Sequence, residues 1–244
     1  MQKYKNIIIF ISFIIIWQLS KFLGFLPKYI IPSPFEIILS FIKNYKLLFI
    51  HTLYTISETF IGIFISIIFS CILSILMDKF QFIFDIIYPI IIVLQTIPTI
   101  ALAPILVLWL GYNLTPKIIL ITLTTSFPLI INILDGFKNC DKDYITLLKL
   151  MNANDLQTYI HFKIPYTTPY FFSGLKISIS YAFISAVVSE WLGGFKGLGV
   201  YMIQSKKLFQ YDTMFAIIIL ISFISILSVN FVSSLEKKCL KWKG

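Results

Sequence analysis

The sequence predicts an all-α, polytopic membrane protein: six transmembrane helices and one long loop outside the bilayer. Three observations carry this. The 244 residues are 58% hydrophobic and 13% charged, with a mean hydropathy of +0.91, whereas a soluble domain is nearer half apolar and a quarter charged. Apolar runs approaching or exceeding the about 20 residues needed to cross a hydrocarbon core as a helix recur along the chain. One polar interlude, from about 138 to 168, separates two of these runs. An insert of that size belongs outside the bilayer, where a soluble component can dock.

The elements follow in order. The first span covers about 7–23. Its basic start and Ile7–Ile16 have the form of a secretory leader, but Trp17-Gln18-Leu19-Ser20 offers no small-residue cleavage site, so the span is read as retained. Leu26-Pro27 and Ile31-Pro32-Ser33-Pro34 predict an irregular segment. Phe35–Ile42 predicts a short interfacial helix with Pro34 at its start. The second span, about 53–77, closes at Asp78-Lys79. The third, about 83–110, contains Pro89, Pro98 and Pro104. The fourth, about 117–134, contains Pro128 and ends at Asp135-Gly136. The fifth and sixth cover about 171–192 and 213–235, separated by the glycine-rich Gly193–Gly199. No repeat of fixed period interrupts the pattern, so residues 1–244 read as a single membrane domain.

The net charge of +9 rests entirely on 20 lysines. Six spans place both termini and the long loop on one face. That face holds twelve lysines against eight on the other, Lys117 among the eight. The sign of this imbalance puts the termini and the loop in the cytoplasm. No soluble segment interleaves a basic cluster with aromatics, which argues against a nucleic-acid partner. Cys71, Cys140 and Cys239 are too scattered for a disulfide framework or a metal site.

Within the loop, Tyr144, Leu147, Leu148 and Met151 recur at helical spacing and predict a helix lying against the bundle. Asn152 and Asn154 interrupt it: asparagine tolerates the left-handed backbone that ends a helix and also caps the start of one. Leu156, Tyr159 and Ile160 resume the spacing. Ile164 precedes Pro165 and is biased out of the helical region, so this short helix is expected to stop there. The surface from Asn152 through Ala153, Asn154, Asp155 and Leu156 to Tyr159 is the expected docking face.

Inside the spans, Pro98 and Pro104 free backbone carbonyls that lipid cannot satisfy. With Gln95, Thr96 and Thr99 beside them they mark a translocation-path helix, or else a static kink. Glu58 and Glu190 are carboxylates whose insertion is costly unless paired or solvated. Glu190 suits lining an outer gate or contacting substrate, or else partnering a nearby tyrosine or backbone amide, and Glu58 leans to a structural role. Gly193 and Gly197 allow close backbone approach at the outer turn. No Gly-Lys-Ser/Thr pattern follows these glycines, so this is not a phosphate loop. His51 and His161 are lone and read as structural. No His/Glu or Ser/His constellation within the spans points to an enzyme.

The loop resembles the cytoplasmic Glu-Ala-Ala loop of bacterial ABC-importer permeases. Thr146-Leu147-Leu148 falls on Glu-Ala-Ala, Asn152 on its glycine, Phe162 on its isoleucine and Ile164-Pro165 on its Leu-Pro. The acidic residue is missing, the small residues are large, and the glycine is asparagine. Further pieces extend the resemblance almost end to end: Ile31-Pro32-Ser33-Pro34; Ile97-Pro98-Thr99-Ile100-Ala101-Leu102-Ala103-Pro104 leading to Trp109-Leu110-Gly111; Phe127-Pro128; Ser173-Gly174-Leu175; and Ser189-Glu190-Trp191-Leu192-Gly193-Gly194 running into Gly197-Leu198-Gly199. Together they resemble the branch that imports nitrate, sulfonates, taurine, bicarbonate and thiamine precursors.

The resemblance implies a permease subunit in the bacterial cytoplasmic membrane, working as a homodimer with two ATP-binding subunits and an extracytoplasmic substrate-binding protein. It implies that the chain binds no cofactor itself, with ATP and Mg held by the partner ATPase. Asn152–Pro165 would be the coupling segment. The run from Glu190 to Ala216 is most similar to permeases for a thiamine pyrimidine precursor, a sulfonate- or nitrate-like anion being the other expectation. The competing reading is a self-contained secondary carrier or channel, which would need coupling-ion carboxylates deep in several spans.

Overall fold

The computed structural model describes residues 2–24 and 31–241, and every regular element among them is helical. The predicted Leu26-Pro27 break and Trp242 lie outside them. The helices are α1 (Gln2–Phe22), α2 (Pro34–Lys43), α3 (Tyr45–Lys79), α4 (Gln81–Thr96), α5 (Thr99–Leu110), α6 (Leu114–Lys138), α7 (Lys142–Leu150), α8 (Asp155–Thr158), α9 (Ile164–Gly193), α10 (Leu198–Lys207) and α11 (Tyr211–Cys239). The short helix α2 starts where predicted. Pro34 occupies its first turn, and Ser33 and Glu36 form a reciprocal capping box.

Among the described residues four helical rods are long and apolar enough to cross a membrane: α3, α6, the continuous rod from α8 to α9, and α11. The predicted third span is not one rod. α4 and α5 meet at 103°, and the break falls at Ile97-Pro98, both in extended backbone. A residue before proline is pushed out of the helical region. Pro89 and Pro104 sit inside their helices without ending them. At 1.5 Å per residue, α4 spans about 24 Å and α5 about 18 Å, so neither limb alone crosses about 30 Å of hydrocarbon.

The centre of the bundle is α6, packed between α3 and α9. Ile63 of α3, Ile121 and Leu129 of α6, and Leu175, Ala182 and Ala186 of α9 share one buried cluster. Association in lipid gains little from burying apolar surface, so small residues and hydroxyls do the joining. A Cβ at Gly62 would meet Ile121 at 2.5 Å, and one at Gly174 would meet the Pro128 carbonyl at 2.9 Å. Ser66 bonds Ser126 at 3.1 Å, Ser178 donates to the Thr125 carbonyl at 2.7 Å, and Thr124 pairs with Ser185 at 2.8 Å. Thr55, Glu58, Thr59, Gly62, Ser66, Ser70 and Ser74 thus form one buried stripe along α3 at three- and four-residue spacing. Outside this core, α11 packs on α9, α10 and α2, while α1 touches α2.

Replacing Gly174 with leucine should force α6 off α9. Overpacking of this kind costs about 1–3 kcal/mol. The expected result is a lower thermal midpoint of the detergent-solubilised protein, and an unchanged midpoint would contradict so close an approach.

Candidate functional site

The predicted docking loop is built largely as the asparagines imply. α7 starts on Asp141, whose side chain accepts from the Asp143 amide, and ends in a Schellman turn. Asn152 adopts φ +60°, and the Ala153 amide bonds back to the Leu148 carbonyl at 3.0 Å. Asn154 then caps α8 through a reciprocal box with Gln157, both bonds 2.8 Å. The turn between α7 and α8 is therefore fixed at both sides by its own backbone and side chains.

Two expectations fail here. The helix does not stop at Ile164-Pro165. Ile164 is helical, and the chain passes through a π-helical turn, Tyr159–Lys163, directly into α9 with Pro165 in its first turn. Proline lacks an amide and crowds the carbonyl four residues back; the wider turn absorbs both, the Ile164 amide bonding to Tyr159. Nor does the α7 stripe lie buried against the bundle. No residue of α7 is buried; Tyr144 only stacks on Phe162. Leu150, Met151, Leu156 and Ile160 are 79%, 71%, 67% and 50% exposed. They leave an open apolar face at one end of the molecule, flanking the capped turn.

Tyr159 was expected on that face. Its hydroxyl instead donates to Asp78 at the end of α3, where Lys163 also bonds at 2.6 Å. Asn152, Asn154, Asp155, Leu156 and Ile164 are exposed, while Ala153 and Pro165 are partly covered.

At the opposite end of the bundle the structure brings Glu58 and Glu190 together with a residue the sequence reading misplaced. Lys117 was counted on an outer flank. It is 4% exposed and bonds Glu58 Oε1 at 2.6 Å. Glu190, 1% exposed, accepts from the Thr55 hydroxyl at 2.7 Å and the Gly199 amide at 2.6 Å. Thr55 in turn accepts from the Leu198 amide at 2.8 Å. Glu190 thus has a backbone-amide partner, one of the arrangements expected for it. Gly197, at φ +126°, has no room for a side chain because a Cβ would run into the Glu190 carboxyl group; its amide donates to His51, which stacks on Tyr201. Burial and nearby Asp212 push the Tyr201 phenol above its ordinary range. Beside this cluster a cleft of about 190 Å³ is lined by Tyr54, Glu58, Tyr112, Asn113, Lys117 and Lys196.

The path residues are spread differently. Gln95, Pro98 and Pro104 are exposed along the bent α4–α5 pair, Gln95 reaching the Leu123 carbonyl at 3.4 Å. Gly193 is buried against Val107 of α5. Lys117 and Asp78 escaped sequence reasoning because each stands beside a span end, where a charge needs no partner. Glu58, a few residues inside its predicted span, was the signal that a partner or a cavity should face it.

This arrangement defines a class: a polytopic helical membrane component with an exposed apolar face at one end and a paired-charge cluster at the other. The model of the family described as "Binding-protein-dependent transport system inner membrane component" matches residues 62–241. A formylaminopyrimidine transport permease protein of Halalkalibacterium halodurans is 35% identical over 99% of this chain and 97% of its own. A probable ABC transporter permease of Haemophilus influenzae is 35% identical over 91% of each. An aliphatic sulfonates transport permease of Bacillus subtilis is 28% identical over 98% of this chain and 88% of its own. Among solved structures, an amino acid ABC transporter superposes with a TM-score of 0.64 at 19% identity, over 82% of this chain and 95% of that one. The inward-facing MetNI methionine transporter superposes with 0.66 at 16%, over 76% and 92%. These two likenesses show a shared fold, that of ABC-importer permeases. The chain belongs to the binding-protein-dependent transport system inner membrane component family and is a permease subunit of an ABC importer.

A buried ion pair broken on one side leaves an uncompensated charge. Glu58→Gln or Lys117→Met alone should therefore destabilise the protein by about 3–5 kcal/mol, and the double substitution should cost much less than the sum. Thermal unfolding of the four proteins in detergent checks this, and additive losses would rule out the pairing as the source of stability.

Proposed function

We propose that this permease imports a small polar pyrimidine, of the thiamine-precursor kind, using ATP hydrolysed by a separate subunit. The exposed apolar face around the Asn152–Asn154 turn carries the coupling part of this reading. Leu150, Met151, Leu156 and Ile160 are exposed around the capped turn at one end of the bundle, where the rest of the chain leaves them uncovered. A surface of this kind marks an interaction site. A short helix capped at its start and continuous with α9 can transmit a rigid-body shift into the bundle. In this reading two ATP-binding subunits dock on a homodimer of the permease, ATP and Mg reside on those subunits, and an extracytoplasmic binding protein delivers the solute to the Glu58–Glu190 end. The chain crosses the membrane six times, with α1 and the bent α4–α5 pair completing the count and both termini in the cytoplasm. Lys117 leaves the outer flank once it is seen to be buried, which strengthens the lysine imbalance behind that orientation.

The substrate part rests on likeness. The relative matching 99% of the chain at 35% identity is named for formylaminopyrimidine, whereas the sulfonate permease matches at 28%.

Two measurements separate these parts. Leu156→Asp should weaken retention of the ATPase on co-purification about tenfold or more, equivalent to ~1.4 kcal/mol; retention at the unaltered level would remove the docking role. Aminopyrimidines should raise the melting temperature of the partner binding protein and compete for uptake by the reconstituted importer. Stabilisation by sulfonates or nitrate instead would replace the pyrimidine assignment and leave the importer reading intact.

A further inference from the structure

The π-helical turn between α8 and α9 begins at Tyr159 and ends at Lys163. A single atom, Oδ2 of Asp78, accepts from the side chains of both. Asp78 lies at the end of α3, a helix of 35 residues. Its length, about 52 Å at 1.5 Å per residue, exceeds the hydrocarbon core, so its last turn reaches the docking end. The contact is sheltered: the Asp78 and Lys163 side chains are 14% and 17% exposed. The Tyr159 ring meets Phe137 of α6 edge-on, with centroids 5.8 Å apart, and the Lys163 ammonium lies 4.8 Å from the Tyr159 centroid. A second pair, Lys79–Asp155 at 3.1 Å, joins α3 to α8 in a more exposed position.

A π-turn carries one residue more than an α-helix over the same bonds, and such turns are frequent at functional sites. Rewinding it to α-helix would turn α8 relative to α9. A carboxylate that grips its first and last residues opposes that change. At the far end α3 is joined to α9 itself, Glu190 of α9 accepting from Thr55 of α3. The helix α3 is thus tied through a carboxylate to the π-turn at one end and to α9 at the other.

We propose that Asp78 is a positioning residue for energy coupling: it locks the Tyr159–Lys163 turn in register and ties α8 to α3, so that displacement of the docking segment moves α3 and α9 together. This rests on the reading that α8 docks the ATPase. Without the lock, the π-turn absorbs the displacement, and hydrolysis proceeds without transport.

The test uses the complete reconstituted importer of permease, ATPase and binding protein. Asp78→Asn should assemble with the ATPase in unaltered amounts and keep basal hydrolysis. Stimulation of hydrolysis by loaded binding protein, and uptake per ATP hydrolysed, should each fall about tenfold, within the usual range of coupling between sites. Lys163→Gln added to Asp78→Asn should lose little more, because both act through one contact. Asp78→Glu should restore part of the coupling. Stimulated hydrolysis and uptake at unaltered levels in Asp78→Asn would overturn the proposal, and so would loss of ATPase assembly, which would make Asp78 part of the docking surface itself. If Asp78→Asn does not accumulate in membranes, Tyr159→Phe, which removes one hydroxyl and no charge, carries the same comparison. The docking reading fails separately, through retention of the ATPase by Leu156→Asp.

Discussion

The close approach of α6 to α3 on one side and α9 on the other sets the geometry of the rest of the chain. Lipid offers polar groups no hydrogen bonds and gives helices little reason to associate through apolar surface. The bundle answers both constraints with one device. Gly174 lets the backbones of α9 and α6 nearly touch, Gly62 makes room for the Ile121 side chain, and serines and threonines bond across the gaps. Larger side chains at those places would move α6 outward. Lys117 would then leave Glu58.

This packing divides the chain into parts with different mechanical character. α3, α6 and α9 share a core and are cross-linked by hydroxyls along their length. The bent α4–α5 pair is attached more lightly: α5 contacts α6 and α9, and α4 contacts α3 and α6. In the proposed reading, the unit tied to the Asn152–Asn154 turn and the separately packed pair carrying Gln95, Pro98 and Pro104 would be the two parts that move against each other in alternating access.

Much of the fold was legible in residues taken one at a time. Asn152 and Asn154 specified a left-handed stop and a helix start because few other residues serve both, and Pro34 marked the start of α2. The break at Pro98 was legible as a weakness but not as a 103° turn, since proline removes a bond without fixing a direction. Pro165 misled for the complementary reason. Its local preference ends a helix, but a π-turn and the packing of α9 on α6 outweigh it. The polarity of the stripe from Thr55 to Ser74 became intelligible only from its neighbours: Ser66 and Ser70 meet Ser126 of α6, Glu58 meets Lys117 of α6, and Thr55 meets Glu190 of α9.

What the sequence determined by itself is therefore the set of local commitments: which runs are apolar enough to enter lipid, where caps and prolines punctuate them, and where a polar insert separates two of them. These follow from transfer energies and backbone sterics, which act over a few residues. The tertiary structure alone decided the partners. Glu58 finds Lys117 across 59 positions, and Asp78 finds Lys163 across 85. Electrostatic pairing depends on distance in space, and helix packing, which no single segment encodes, sets that distance.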